Sequence, residues 1–323
     1  MRKILSIILL LQSATVLAQD PHFSQYFASP LTINPAHTGN INEDLRAIAL
    51  YRQQWWSVGT PYNTGTISYE QKLLKNSLDS KNRFGIGGMF MFDESLGGGL
   101  KSSYLSLSTS YHIGLNSSGT SRIGVGFQGT FGNRRINLSK LSFENQFSSG
   151  GFNLNLPTGE NSLSNLKSFF DLNAGLIYSL ETENNKYSFG FSTYHITTPK
   201  QTITGDEDSR IPRRYNLQGS ADISLKNSDD KLLFSFLYMN QAKATSVNLG
   251  AAYQYQLGSA TDNKFLIGGI FYRFNDAIYP YLSYKNKNYQ FSLSYDAVVS
   301  DLRLATPRTG SMELSVIYAP NFK

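Results

Sequence analysis

From Leu45 to the C-terminus the chain repeats one unit: about ten residues of alternating apolar and polar side chains, then a turn. Residues 103–113 show it best, with Leu105, Leu107, Tyr111 and Ile113 on one phase and serines on the other. Successive side chains of a strand point to opposite faces, so each segment carries one oily and one wet surface. The start of the chain decides where such a sheet is used. Arg2 and Lys3, the apolar run Ile4–Leu11 and the small residues before Gln19 read as an export signal over 1–18, cleaved after Ala18. An exported chain of this pattern predicts an all-β, transmembrane antiparallel β-barrel in an outer membrane.

Other classes fall away on composition. No segment approaches the ~20 apolar residues of a spanning helix, and a chain crossing lipid without helices must close into a barrel. There is no cysteine, which removes disulfides, thiolate metal sites and an N-terminal lipid anchor. The net charge of +6 becomes +4 without Arg2 and Lys3, a mild excess with no long basic run, so no nucleic-acid partner is expected.

Strand candidates fall at 45–54, 62–72, 83–93, 101–113, 120–131, 168–180, 186–196, 213–226, 231–240, 244–257, 264–274, 277–285, 288–298 and 311–319. Residues 134–138 extend the fifth hairpin above the membrane. Fourteen is an even number and puts both termini on one side. Even-numbered connections are then short, with 73–82 the longest. The odd set holds the three longest, 132–167, 197–212 and 299–310, as expected of external loops. The domain reading is therefore 1–18 signal, 19–44 N-terminal segment and 45–323 barrel.

Most strands sort cleanly. Phe170, Leu172, Leu176 and Tyr178 oppose Asp171 and Asn173, while Tyr289, Phe291, Leu293 and Tyr295 oppose Ser292, Ser294 and Asp296. Met312, Leu314 and Val316 oppose Glu313. The segments 83–93, 264–274 and 277–285 are apolar on both phases and have no evident orientation. Phe131, Tyr187, Tyr215, Tyr238, Phe274 and Tyr279 near strand ends suggest interfacial aromatic girdles.

Catalytic motifs are not found. Gly124-Val125-Gly126-Phe127-Gln128-Gly129 spells G-x-G-x-x-G, but it lies inside an alternating strand, where glycine suits close packing against lumen contents. The four histidines have no metal-ligand spacing. No enzyme activity, metal or cofactor is expected. The segment 19–44 is different: Pro21, Pro30 and Pro35 exclude strand and regular helix, yet His22, Phe23, Tyr26, Phe27, Leu31 and Ile33 are anchoring groups. It reads as a plug in the lumen or a periplasmic cap.

The block Asp20-Pro21-His22-Phe23-Ser24-Gln25-Tyr26, then Ser29-Pro30-Leu31, Asn34-Pro35-Ala36 and Gly39, resembles the PorP/SprF family of the type IX secretion system of Bacteroidetes. Tyr51-Arg52-Gln53-Gln54-Trp55, Gly190-Phe191-Ser192 with His195 and Pro199, and Ile211-Pro212-Arg213-Arg214-Tyr215 continue the likeness. Tyr295-Asp296, Ser300, Leu302, Gly310 and Glu313 complete it, and Trp56 is an extra aromatic after the family's Gln-Trp. The resemblance implies an outer-membrane part of the secretion or gliding machinery. Its partners would be the C-terminal sorting domain of secreted proteins and other secretion components. Asp20, Pro21, His22, Phe23, Gln25, Tyr26, Asn34 and Pro35 would form the plug motif. Arg52, Trp55, Asp171, His195, Arg213, Arg214, Asp296 and Glu313 would bind a partner or form a lumen network. The arginines could instead pair with lumen acids such as Glu70, Asp171 or Asp222. The alternative function is an outer-membrane porin or small-ligand transporter.

Overall fold

The computed structural model describes residues 20–56, 59–75, 77–159, 168–201, 209–226, 228–300 and 310–321. The expected signal at 1–18, Leu302, and stretches 160–167, 202–208 and 301–309 of the long loops lie outside the described residues. The strands are β1 (Leu45–Gln54), β2 (Tyr62–Leu73), β3 (Arg83–Ser95), β4 (Leu100–Gly114), β5 (Ser121–Ile136), β6 (Phe147–Ser148), β7 (Gly151–Phe152) and β8 (Phe169–Glu181). They continue with β9 (Asn185–Tyr194), β10 (Arg214–Ser224), β11 (Lys231–Gln241), β12 (Ala244–Gln256), β13 (Lys264–Arg273), β14 (Ala277–Asn286), β15 (Tyr289–Val298) and β16 (Gly310–Tyr318). All but β6 and β7 form one closed barrel of fourteen antiparallel strands. β5 pairs with β8 across the longest excursion, and β16 pairs with β1 to close the ring. Closure leaves no unpaired edge, which lipid would not tolerate. β6 and β7 make a small hairpin within the excursion.

The barrel is oily outside and polar inside. Ile67, Leu107 and Ile270 are about two-thirds exposed on the outer wall, at 66%, 68% and 65%. Thr64, Thr66, Ser68, Ser106, Ser108, Ser110, Ser292 and Ser294 line the interior and are buried. The acids on strands with a clear phase point inward as expected: Asp171, Asp296 and Glu313 are each 2% exposed or less.

What buries them is the N-terminal segment itself. It consists of single 3-10 turns at Tyr26–Ala28, Pro30–Thr32 and Pro35–His37, two of them opened by proline at the first position. Asn34 caps the third by accepting from the Ala36 N–H at 2.8 Å. The segment does not sit beneath the mouth as a periplasmic cap. It runs inside the barrel along its length. Asp20 lies beside Arg214 and Gln241 at the rim of the long loops, and Asp44 bonds Pro320 and Lys72 at the opposite rim before β1 begins.

The segment explains the strands with no evident phase. Phe27 stacks on Phe271 (5.1 Å) and meets Tyr281 edge-on (5.1 Å), so β13 and β14 need apolar residues inside as well as out. On β3, Met91 points inward into the cluster of Phe23 and Tyr104, while Phe90 and Phe92 face out. Tyr279 is corrected by the same finding: it is fully buried against Phe271 and belongs to no girdle. Phe131, Tyr187, Tyr215 and Phe274 are exposed on the outside.

Candidate functional site

A chain without regular structure inside a barrel must find partners for its backbone groups. The wall supplies them one by one. Tyr194 Oη and Gln128 Nε2 donate to the Leu31 carbonyl (2.8 and 3.2 Å), and Arg214 Nη2 donates to that of Thr32 (2.8 Å). Ser192 Oγ and Asn216 Nδ2 both donate to the Ile33 carbonyl, at 2.5 and 2.7 Å. Asn34 Nδ2 reaches out to the wall carbonyls of Leu176 and Phe191 (3.0 and 3.2 Å). Glycines let the chains approach: a Cβ on Gly85 would lie 2.5 Å from the Thr38 carbonyl oxygen, and one on Gly126 2.5 Å from Ala36 Cα. Gly126 of the G-x-G-x-x-G stretch is therefore a packing surface for Pro35 and Ala36.

Two ion clusters fix the upper part of the segment. In the first, Asp296 Oδ2 accepts from Ser24 Oγ (2.6 Å), Arg273 Nη2 (2.8 Å) and Arg52 Nη2 (3.2 Å). Glu313 accepts the backbone N–H groups of Ser24 and Gln25, one on each oxygen, at 2.6 and 2.7 Å. Arg52 Nη1 donates to the His22 carbonyl at 2.6 Å, and its Nε is 3.4 Å from Glu313. Gln25 is held at both ends of its amide, donating to Ser294 Oγ (3.0 Å) and accepting from Ser315 Oγ (2.7 Å). Arg273 Nε also pairs with Asp276 at the cluster's exposed edge, so two arginines face three acids and no buried charge is left alone.

The second cluster holds Asp20. Its Oδ2 is 2.7 Å from His195 Nε2 and accepts from Arg214 Nη1 at 2.9 Å. Asp171 Oδ2 lies 2.8 Å from the other ring nitrogen of His195, and Asp171 Oδ1 accepts from Thr197 Oγ1 at 2.7 Å. Arg214 also stacks over the Tyr194 ring at 4.3 Å. Burial alone would disfavour the imidazolium of His195. The charge of Asp20, the hydrogen bond to it and the close approach of Asp171 outweigh it and raise His195 to about 9. Burial likewise opposes ionised Asp20, but His195 and Arg214 hold it below the usual carboxylate range.

This clamp carries a pH dependence of defined sign. A raised histidine contributes fully below its ordinary value of 6.5 and loses that contribution as pH rises through about 9. Depressed Asp20 acts only at the acid end, lost as pH falls through its lowered value. Protease cleavage within 20–44 is therefore expected to be slow at neutral pH and to rise as pH approaches and passes about 9. His195→Gln should remove that alkaline rise.

Not every expected residue joins these clusters. Arg213 is exposed and, among the described residues, its side chain donates to the Ile196 carbonyl alone, at 3.4 Å. Trp55 sits in the turn after β1 with φ 56° and packs edge-on against Tyr62 (5.0 Å), apart from the lumen. Pro21 borders the clamp, Phe23 packs on Met91 and Tyr104, and Tyr26 Oη donates to Ser235 Oγ at 2.7 Å. The acids suggested for Arg52 and Arg214 are also corrected: they pair with Asp296, Glu313 and Asp20, while Glu70 pairs with Arg46 (2.6 Å). Arg273 was missed. It ends a strand apolar on both phases, and its inward position two residues after Phe271 is the one signal that could have found it. No group of three or more histidines or acids among the described residues is arranged to hold a metal.

A fourteen-stranded barrel, apolar outside and occupied by its own N-terminal segment, defines an outer-membrane protein. The sequence matches the family described as "Type IX secretion system membrane protein PorP/SprF" over residues 15–318, and the chain belongs to that family. It is thus an outer-membrane component of type IX secretion. Among solved structures it is similar to a TodX deltaS2S3 mutant monoaromatic hydrocarbon channel, with 12% identity, 90% of this chain and 94% of that chain covered, and TM-score 0.52. A TodX deltaS2 mutant channel gives 9% identity, coverage of 92% and 94%, and TM-score 0.53. At such identity the likeness is one of fold alone. No curated protein matches the sequence.

Proposed function

We propose that the barrel is a plugged platform: it binds secreted proteins through their C-terminal sorting domain and aids their export or surface attachment, in secretion or gliding. The observation that carries this reading is the occupied lumen. Residues 20–44 run through the lumen from the long-loop rim to the short-turn rim and are tied by two buried ion clusters and a row of wall hydrogen bonds. A diffusion pore has no use for such an investment of polar wall. Export by a signal peptide cleaved after Ala18 fits the same reading, since Asp20 then lies close to the new N-terminus inside the barrel.

The long loops offer the docking surface. Within 137–159 the β6–β7 hairpin sets Phe147 directly opposite Phe152, and these two and Leu154 are exposed at 70%, 47% and 64%. Apolar groups clustered on a loop in water mark an interaction site. Affinity purification of the intact protein from neutral detergent should recover a secreted C-terminal domain. The double substitution Phe147→Ser and Phe152→Ser should weaken that capture at least tenfold, by analogy with aromatic hot spots, and leave the barrel's heat-modifiable gel mobility unchanged. Recovery of no secreted domain by the unaltered protein would count against the platform.

The porin reading has one observation in its favour, an open cavity of about 1150 Å³ at the short-turn rim. A second cavity, sharing part of its wall, abuts the Phe27 cluster in the lumen.

A further inference from the structure

The third turn of the N-terminal segment, Pro35–His37, packs against β4, β5 and β8, and space remains beside β9–β14 towards the short-turn rim. That side holds two adjoining chambers. The outer one, about 1150 Å³, opens at the short-turn rim and is walled by polar groups, with Lys186, Lys226, Lys231 and Lys285 against Glu183, Asp222 and Asp229. The inner one, about 390 Å³, is lined by Leu233, Ala252, Ile267, Phe271 and Tyr281 of the wall and by Tyr26 and Phe27 of the segment. Asp222, Leu233, Gln254 and Lys285 line both, so the chambers adjoin. The inner volume lies in the range of small-molecule sites, which pair an apolar body with a few placed polar groups.

The mouth carries four lysines against three acids, a small cationic excess. Lys186 is paired with Glu181 at 2.8 Å. Among the described residues neither Lys231 nor Lys285 has a carboxylate within 4.0 Å, and the two share the neighbourhood of Asp222. From there inward leucine, isoleucine and aromatic rings join the wall beside Arg46, His37, Gln218 and Gln254, and Phe27 stacks on Phe271. We infer that these chambers bind a single-chain anionic amphiphile entering from the short-turn rim, with its carboxylate or phosphate head between Lys231 and Lys285 and its tail in the Phe27–Phe271 chamber. The site is independent of the long-loop surface, so its failure would leave the platform reading standing.

Native mass spectrometry of the full mature barrel in a neutral sugar-headed detergent tests this with three twelve-carbon probes: dodecanoate, dodecyl phosphate and dodecyltrimethylammonium. One anionic probe per barrel is expected to bind, and the cation at least tenfold more weakly. Preference for dodecanoate would indicate a fatty acid, preference for dodecyl phosphate a lysolipid, and equal binding any anionic head. The double variant Lys231→Gln, Lys285→Gln should weaken the anions at least tenfold. Ala252→Trp should abolish binding by filling the inner chamber, with folding of both variants checked by heat-modifiable gel mobility. Cation binding as tight as anion binding, or anion binding unchanged in either folded variant, would identify the probe as belt lipid and overturn the assignment.

Discussion

Asp296→Ala is expected to free the N-terminal segment and to destabilise the barrel by about 3–5 kcal/mol, the usual cost of removing one partner from a buried ion cluster. Asp296 is 2% exposed and serves three donors at once, Ser24 Oγ, Arg52 and Arg273. Its loss leaves Arg52 with Glu313, which is already accepting the Ser24 and Gln25 amides, and Arg273 with Asp276 alone. Water must then enter or the segment must leave. The expected signs are a lower denaturant midpoint for gel-mobility conversion and rapid protease cleavage between Asp20 and Asp44. Asp296→Asn, which keeps the shape and the acceptor for Ser24, should lie in between. An alanine variant as stable and as protected as the parent would show that the cluster does not hold the segment.

Gly126→Val attacks the same contact from the wall without touching a charge. The new Cβ would lie 2.5 Å from Ala36 Cα, against backbone that cannot turn aside as a flexible side chain would. Overpacking of this kind costs about 1–3 kcal/mol or more. Valine suits a strand well, so the barrel itself has no reason to fail. The middle of the segment is expected to be displaced, with protease cleavage near Pro35 and unchanged gel mobility. Gly268→Val is the control: a Cβ there meets nothing within 4 Å. If both variants protect residues 20–44 equally, the segment is not packed against β5 as described.

The barrel could be read from the sequence because a single physical rule, lipid outside and polar groups inside, acts on every strand. β1 runs over Leu45–Gln54 and β9 over Asn185–Tyr194, within two residues of the periodicity at each end. The rule lapsed where the interior is not water. Phe23 and Phe27 demand apolar partners, and β3, β13 and β14 lost their alternation there. Partners within the lumen were hidden for another reason. Arg52 lies directly across from Glu313 because the last strand closes on the first, a contact set by ring closure and not by local spacing. Ser24 and Asp296 are likewise 272 residues apart in sequence. The family motif singled out most of the residues that meet in the two clusters, but not which acid each arginine would take. Arg273 lay outside the motif and inside a strand without a readable phase.

In a plugged platform the N-terminal segment keeps the barrel closed. Conductance across planar bilayers measures it directly, comparing the intact protein with one lacking residues 20–40. The intact barrel is expected to show little steady current and the deletion a large, stable one. A large, stable conductance from the intact protein, or a deletion that conducts no better, would contradict it.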